Sequence, residues 1–195
     1  MKKNLQNSYL RLIPFFFLAL LAYLLLNNKD ELLQSSLSST NKTQNKVIGK
    51  AAQDFTIEAE RNITKVKFQL TSLKGYPIVL HFWATWCGPC VLELPELLKQ
   101  AQKLRLEGYS FIAISLDKDW ATVQDFFRRY PTLSPMKDTM VLLLDPHNQL
   151  AEQYGVIGVP ETFLINQQFL IDNKFTGPQN WSDKNMNRYW EELKK

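Results

Sequence analysis

Both cysteines of this 195-residue chain lie in one unit, Cys-Gly-Pro-Cys at residues 87–90, which constrains the fold more than any other feature. The unit follows an apolar run, residues 78–83, of the kind that forms a strand buried on both faces. It opens a segment, residues 89–107, in which Pro89 suits the first turn of a helix and Gly108 suits its end. The sequence therefore predicts a buried strand that ends just before the cysteines and a helix that begins among them.

The chemistry of the two cysteines follows from this placement. Cys87 is predicted to lie at a helix N-terminus, where backbone N–H groups and the helix dipole stabilise a thiolate. Such a position lowers a thiol pKa from about 8.5 to the range of about 3.5–7.5. Cys90, one turn further on, is expected to be more buried and to attack a mixed disulfide formed by Cys87. The pattern indicates thiol–disulfide exchange.

Three other interpretations of the cysteine pair stay open. A purely structural disulfide would close a short loop, which constrains the unfolded chain little. A metal site would need more ligands, and the two histidines, His81 and His147, lack ligand spacing to the cysteines. A pair of inert buried thiols is disfavoured by the Gly and Pro between them.

The rest of the domain alternates between strand and helix patterns. A hairpin is predicted over residues 55–59 and 63–70, further strands over 109–116, 140–144, 161–165 and 169–176, and further helices over 119–130, 149–154 and 181–193. Because strands and helices alternate in the middle and a hairpin with a closing helix follows, we predict an α/β sandwich around a central mixed sheet.

The N-terminus carries an apolar stretch over residues 10–26, whose length is near the lower limit for spanning a bilayer core of about 30 Å. Lys2, Lys3 and Arg11 place positive charge at its start, which predicts a cytoplasmic N-terminus. The stretch is interpreted as an uncleaved signal anchor. A cleaved signal peptide is the alternative, although the polar residues 27–31 make a poor cleavage site.

The chain is therefore divided into a signal anchor (residues 1–28), a flexible polar tether (29–46) and a folded domain (47–195). The formal net charge of +4 is concentrated at the N-terminus, since residues 1–30 carry four basic side chains and one acidic side chain. The remainder is nearly balanced, which is poor evidence for a nucleic-acid-binding surface. The sequence carries no haem or nucleotide motif, and we expect no cofactor.

Two segments carry a family resemblance. Residues 82–90, Phe-Trp-Ala-Thr-Trp-Cys-Gly-Pro-Cys, resemble the active-site signature of thioredoxin-like proteins. Residues 154–165, Tyr-Gly-Val-Ile-Gly-Val-Pro-Glu-Thr-Phe-Leu-Ile, resemble the cis-proline segment of the cytochrome c maturation reductases. Together with the Leu-Lys-Gly at residues 73–75, they are similar to the membrane-anchored TlpA/ResA/DsbE (CcmG) branch, from about Val47 to the C-terminus. The resemblance implies a thioredoxin fold, a three-layer α/β/α sandwich with an N-terminal β-hairpin extension and a helical insertion within residues 117–140.

The resemblance also implies roles for individual residues. Cys87 matches the nucleophile, Cys90 the resolving thiol, Pro160 the cis-proline that presents the substrate backbone, and Pro95 a helix-kinking proline. The implied substrate surface consists of Trp86, Gly88, Pro89 and Val159.

Two carboxylates and one histidine are candidates for tuning the thiols. Glu93 lies one helical turn beyond Cys90, and Glu161 directly follows Pro160. A carboxylate near a thiol pair can carry a proton and raises the thiol pKa, whereas the alternative is that each is a solvated surface charge. His81 stands where cytosolic thioredoxin has a buried Asp, and it either assists a thiol or is a core histidine with its hydrogen bonds satisfied.

The resemblance implies a thiol–disulfide oxidoreductase on the extracytoplasmic side of the bacterial inner membrane, acting as a monomer. Its expected substrate is the oxidised Cys-x-x-Cys-His motif of apocytochrome c, and its expected electron donor is a DsbD- or CcdA-like membrane protein. Alternatives are a general TlpA-like reductase, a DsbA-like oxidase and a copper chaperone that binds through the cysteine pair. A peroxiredoxin is disfavoured because its reactive cysteine lies in a Thr-x-x-Cys setting, which Thr85-Trp86-Cys87 does not supply.

Overall fold

The computed structural model describes Leu20, Tyr23 and residues 47–61 and 64–194. Val47–Lys195 forms one compact unit. The predicted tether, and the predicted anchor apart from Leu20 and Tyr23, lie outside the described residues. Within the part that is described, no helix has both the length and the apolarity needed to cross a membrane.

In the described part of the chain, seven strands form two sheets. An N-terminal hairpin pairs β1 (Thr56–Arg61) with β2 (Thr64–Gln69) in antiparallel register. The second sheet has the order β5-β4-β3-β6-β7 and contains β3 (Ile78–Trp83), β4 (Ser110–Ser115), β5 (Val141–Leu144), β6 (Glu161–Ile165) and β7 (Ile171–Thr176). β3, β4 and β5 run parallel, whereas β6 and β7 are antiparallel to their neighbours. The sheet is therefore mixed, as predicted, with β3 at its centre.

Helices connect the strands and close the domain. They are α1 (Gly88–Arg105), α2 (Trp120–Arg129), α3 (Met136–Thr139), α4 (Gln149–Gln153) and α5 (Met186–Leu193), with 3-10 turns at Leu70–Leu73 and Pro131–Leu133. The start of α2 is fixed by its N-cap Asp119, whose carboxylate accepts a hydrogen bond of 2.8 Å from the Thr122 N–H. α2 is the predicted insertion helix, and α3 extends the insertion by a turn that the sequence analysis did not predict.

The sheet separates two apolar cores because side chains alternate along its strands. On one face, Val79 and Trp83 of β3 pack with apolar residues of α1, α2 and α5. On the other face, Ile78, Leu80 and Phe82 pack with apolar residues of α4 and the hairpin. The result is the predicted three-layer α/β/α sandwich, and the helix α1 that carries the cysteines is packed directly on the central strand.

The closing helix is shorter than predicted. We predicted a helix over residues 181–193, but α5 begins at Met186 and Trp181 lies in the preceding loop. The residues before Met186 favour turns because Asn180 and Asp183 accept hydrogen bonds from the backbone N–H groups of Ser182 and Asn185. Trp181 is fully buried, and it points into the core next to α1.

The packing of α5 generates a stability prediction. Trp190 is 3% exposed, and it stacks on Trp181 and contacts Phe111 of β4. We expect Trp190→Ala to lower the free energy of unfolding of the disulfide form by about 3–5 kcal/mol, since it removes a large buried side chain. Urea unfolding of the full-length chain measures this loss.

The same substitution at an exposed tryptophan is the matched control. Trp86 is 68% exposed, so Trp86→Ala is expected to change the free energy of unfolding by no more than about 0.5 kcal/mol. Equal losses for the two variants would contradict the described packing of α5.

Candidate active site

Cys87 caps the N-terminus of α1, and Cys90 lies in its first turn. The two sulfurs form a disulfide with an S–S distance of 2.01 Å. The Cys87 carbonyl accepts the first helical hydrogen bond from the Val91 N–H, and the Cys87 sulfur accepts a hydrogen bond of 3.2 Å from the Cys90 N–H. The Cys87 sulfur therefore lies where helix N–H groups and the helix dipole stabilise a developing thiolate, as the sequence predicted.

A cis peptide bond faces the disulfide. The bond joins Val159 to Pro160, directly before β6, and the Val159 carbonyl oxygen lies 3.5 Å from the Cys87 sulfur. Pro160 is buried and Val159 is half-buried. The chain before β6 thus brings a backbone carbonyl against the sulfur that is predicted to be the nucleophile.

A buried carboxylate that sequence reasoning missed fixes the turn before Cys87. Asp117 accepts hydrogen bonds from the Thr85 N–H at 3.0 Å, the Thr85 hydroxyl at 2.7 Å and the Ser115 hydroxyl at 2.6 Å. β3 and β4 are parallel neighbours, so the residues that follow them meet at one edge of the sheet. An Asp two residues after β4 and a Thr two residues before Cys87 are the sequence signals for this contact.

Glu93 lies on the buried face of α1 and is not the solvated charge considered as the alternative. The Glu93 carboxylate accepts hydrogen bonds from the Gln179 N–H at 2.7 Å and from the Trp181 indole N–H at 3.1 Å. Burial raises the pKa of Glu93 to about 7, against the lowering effect of these two hydrogen bonds. This carboxyl can gain or lose a proton near neutral pH.

His81 lies in the middle of β3 on the same face of the sheet as α1. It is 1% exposed, and its Nδ1 atom lies 2.9 Å from the Thr162 hydroxyl of β6. Its Nε2 atom lies 3.7 Å from the Glu93 carboxylate. Burial lowers the pKa of His81 to about 3, so the imidazole is neutral at neutral pH. His81 is a core histidine, but its Nε2 atom has no hydrogen-bond partner among the described residues.

Glu161 is also fully buried, and its partner is a lysine. Its carboxylate lies 2.9 Å from the Lys174 ammonium, which also donates to the Gly155 carbonyl at 3.1 Å. The Ile157 N–H and the Thr176 hydroxyl each lie 3.4 Å from the other Glu161 oxygen. Burial raises the pKa of Glu161, while Lys174 lowers it. Lys174 lies on β7, the strand next to β6, but the sequence of β7, Ile-Asp-Asn-Lys-Phe-Thr, is mostly polar and gives no clear signal for this pair.

Glu93 and Glu161 lie on opposite faces of the sheet. Thr162, the contact of His81, follows Glu161 directly on β6, and consecutive strand residues point to opposite faces. His81 and Glu93 therefore lie together on the face that carries α1. Glu161 lies on the other face, where it and its partner Lys174 contact the backbone of Ile157 and Gly155, the residues that lead into the cis bond.

The predicted substrate surface is open to solvent around Cys87. The exposed residues include Trp86, Gly88 and Pro89. We call residues 155–160, which lead into β6, the cis-proline loop, and Ile157 on this loop is 71% exposed. Pro95 lies inside α1 and faces solvent. Within the described ranges, no group of three or more His, Cys, Asp or Glu side chains is arranged to hold a metal ion.

The buried ion pair below the cis-proline loop gives a prediction with a pH dependence. Lys174→Met leaves the Glu161 carboxylate buried without its cation, which is expected to cost about 3–5 kcal/mol of unfolding free energy at neutral pH. The pKa of Glu161 then rises further above its ordinary value of 4.5. Because the folded form holds the proton more tightly than the unfolded form, the variant loses stability as the pH rises from about 4.5.

Urea unfolding at several pH values measures this dependence. The control is the double variant Glu161→Gln/Lys174→Met, which has no carboxylate at position 161 and is expected to be more stable than Lys174→Met at neutral pH. A Lys174→Met variant whose stability follows the wild-type pH profile would contradict the account of the pair.

Comparisons with known proteins agree with this geometry. Residues 48–175 match the AhpC/TSA family. The thiol-disulfide oxidoreductase ResA of Bacillus subtilis (strain 168) is 30% identical over 129 residues, which cover 66% of this chain and 67% of the relative.

Solved structures share the fold. A chain described as thiol:disulfide interchange protein DsbE from Chlorobium tepidum superposes with a TM-score of 0.63 at 25% identity, over 75% of this chain and 96% of that chain. StoA from Bacillus subtilis superposes with a TM-score of 0.56 at 23% identity, over 73% of this chain and 98% of that chain, which supports the fold alone. From the matched residues, the redox-active pair and the fold, we conclude that this chain belongs to the AhpC/TSA family and is a thiol-disulfide oxidoreductase of the ResA/DsbE type.

Proposed function

We propose that this oxidoreductase works as a reductase, which passes two electrons from the Cys87–Cys90 dithiol to disulfides of exported proteins. The observation that carries the proposal is the position of Cys87 as the cap of α1, next to the Val159 carbonyl. A helix N-terminus favours the thiolate, the form that attacks disulfides. The Gly and Pro between the cysteines support the reducing direction, since they resemble those of reducing thioredoxins.

The first step is attack of the Cys87 thiolate on one sulfur of the substrate disulfide. A bond forms between the Cys87 sulfur and that sulfur, the substrate S–S bond breaks, and the second substrate sulfur leaves as a thiolate that takes a proton from water. Cys87 is 6% exposed while Cys90 is fully buried, so a protein substrate reaches Cys87 first.

The second step is release of the substrate by Cys90. The Cys90 thiol loses its proton, and the Glu93 carboxylate one helical turn away is the proposed acceptor. The Cys90 sulfur then bonds to the Cys87 sulfur, and the substrate sulfur leaves as a thiolate and is protonated. The substrate has gained two electrons and two protons, and the enzyme is left as the disulfide seen in the structure.

The surface around Cys87 suits an extended, partly apolar segment of a protein. Trp86 and Ile157 are exposed apolar side chains on the two loops that meet at the disulfide. The cis-proline loop presents backbone groups beside Cys87. Glu161 and Lys174 support this loop from below, since they contact Ile157 and Gly155. We propose that Trp86, Gly88, Pro89 and Val159 form the contact surface.

The proposed substrate is the oxidised Cys-x-x-Cys-His segment of apocytochrome c. Support comes from the Val-Pro-Glu-Thr-Phe sequence at residues 159–163, which resembles the cis-proline segment of the cytochrome c maturation reductases. In the structure, Glu161 and Thr162 of this segment are buried. Glu161 pairs with Lys174 on one face of the sheet, and Thr162 contacts His81 on the other face.

We further propose that residues 10–26 anchor the protein in the inner membrane with a cytoplasmic N-terminus, and that residues 29–46 tether the catalytic domain on the extracytoplasmic side. Positive charge before the apolar stretch supports this orientation. A reductase in an oxidising compartment must be recharged, so a DsbD- or CcdA-like membrane protein is the proposed electron donor.

Trapping of the mixed disulfide tests both the mechanism and the substrate. In Cys90→Ala, the second step is blocked, and the full-length variant is expected to accumulate a stoichiometric mixed disulfide with an oxidised Cys-x-x-Cys-His peptide. In Cys87→Ala, no adduct is expected because the remaining Cys90 is fully buried. Intact-protein mass spectrometry under non-reducing conditions measures both. An adduct in Cys87→Ala instead would contradict the assignment of the nucleophile.

Specificity is read from a matched peptide in which the histidine is replaced by alanine. The wild-type dithiol is expected to reduce the Cys-x-x-Cys-His peptide at least about tenfold faster, which corresponds to about 1.4 kcal/mol of transition-state discrimination. Equal rates would identify a general reductase and overturn the proposed substrate.

A further inference from the structure

Two buried polar atoms face each other between β3 and α1, and neither has a hydrogen-bond partner among the described residues. They are Nε2 of His81 and Oε1 of Glu93, which lie 3.7 Å apart. The two side chains are 2% and 4% exposed, so water does not replace the missing partners from bulk solvent. Buried polar atoms are rarely left unpaired, and each such atom requires a physical reason.

The surroundings of the pair fix the other atoms of both side chains. Glu93 Oε2 accepts hydrogen bonds from Gln179 and Trp181. His81 Nδ1 contacts the hydroxyl of Thr162, which can either donate or accept a hydrogen bond. The open atoms Nε2 and Oε1 are slightly beyond hydrogen-bond range, and an approach of about 0.5 Å closes the gap.

A neutral imidazole can satisfy Glu93 in either of its protonation states. When Glu93 is ionised, the imidazole carries its proton on Nε2, donates it to Oε1, and accepts from the Thr162 hydroxyl at Nδ1. When Glu93 is protonated, its O–H donates to Nε2, and the imidazole carries its proton on Nδ1 and donates to the Thr162 oxygen. The two arrangements differ by one proton on Glu93 and by the tautomer of His81.

We propose that His81 is a positioning residue that switches tautomer with the proton of Glu93, so that the pair stores and releases one proton for Cys90. The inference rests on the proposed thiol–disulfide cycle. It goes beyond that cycle because it assigns to His81 and Thr162 a part in the proton transfer.

The switch gives the resolving step its proton balance. Cys90 loses a proton and Glu93 gains it. The imidazole releases its proton from Nε2 and takes one up at Nδ1, with water that enters during transient opening of the site as the carrier, and the Thr162 hydroxyl rotates from donor to acceptor. When Glu93 later returns the proton to a thiolate or to water, the imidazole changes back. His81 stays neutral in both states, in agreement with the pKa of about 3 that its burial imposes.

The other charged or titratable groups on the strands next to β3 have partners other than His81 and Glu93. On β6, Glu161 and its partner Lys174 lie on the opposite face of the sheet. On β4, the register neighbour of His81 is Ala113, and the buried Asp117 beyond that strand is occupied by Thr85 and Ser115.

On α1, the titratable neighbours of Glu93 are Cys90, which forms a disulfide with Cys87, and Glu96, which is half-buried and accepts a hydrogen bond from the Ser182 hydroxyl. The loop before α5 contributes Gln179 and Trp181, neither of which titrates. Glu93, whose pKa burial raises to about 7, is therefore the group whose titration the imidazole follows in the disulfide form.

Nitrogen NMR of the imidazoles tests the switch without any substrate. The full-length chain contains two histidines, so ¹⁵N-histidine labelling gives two sets of signals, and His147→Gln identifies those of the exposed residue. In the disulfide form, His81 is expected to stay neutral and to change from the Nδ1–H tautomer at low pH to the Nε2–H tautomer at high pH, with a midpoint near 7. Glu93→Gln is the matched variant, and its His81 is expected to keep one tautomer throughout.

A His81 that keeps one tautomer in the wild-type chain, or that becomes a cation over the same pH range, would overturn the inference. This result is independent of the proposed function, since the disulfide form needs no reductase activity to show the switch. A chain that switches tautomer but does not reduce disulfides would refute the proposed function alone.

A second variant connects the switch to the chemistry. In His81→Leu, both forms of Glu93 lose a hydrogen bond. The bond to the ionised carboxylate is the stronger of the two, so the pKa of Glu93 is expected to rise by about one unit. Under the proposed cycle, the pH profile of the resolving step moves to higher pH by the same amount, while formation of the mixed disulfide at Cys87 keeps its rate. An unchanged profile in a folded His81→Leu chain would contradict the role of His81.

Discussion

The capping of α1 by Cys87 is the constraint on which the site depends. The helix begins at the edge of the sheet where β3 ends, and the Cys90 N–H in its first turn donates a hydrogen bond to the Cys87 sulfur. Asp117 fixes the turn on one side, and the cis bond before β6 places the Val159 carbonyl on the other. The proposed thiolate at Cys87 and the proposed docking of a substrate backbone beside Val159 both depend on how the central strand, the helix and the antiparallel neighbour meet.

The two buried glutamates, Glu93 and Glu161, are both desolvated, but they have different partners. Burial raises the pKa of both, because the charged form loses water. Glu161 is held beside a cation and supports the cis-proline loop. Glu93 faces a neutral imidazole, so it remains free to exchange a proton near neutral pH. Thr162 and Glu161, adjacent on β6, connect these two arrangements across the sheet.

The sequence predicted the fold and the redox pair because both leave strong local patterns. Buried strands read as apolar runs, and the cysteine unit stands between a strand and a helix. It did not predict the pairing of Glu161 with Lys174 or of His81 with Glu93, since each joins residues that are distant in sequence and meet only through strand register. The predicted closing helix included Trp181, whereas in the structure Trp181 lies in the loop before α5 and its indole N–H donates a hydrogen bond to Glu93.

The proposed function requires that the Cys87–Cys90 pair donates electrons to its substrates. The reduction potential of this couple in the full-length chain, measured by equilibration with a glutathione or dithiothreitol buffer, tests this requirement. A reductase is expected to show a reversible two-electron couple near the thioredoxin value of about −270 mV. A potential near the DsbA value of about −120 mV would identify the protein as an oxidant of thiols and overturn the proposed direction of electron flow.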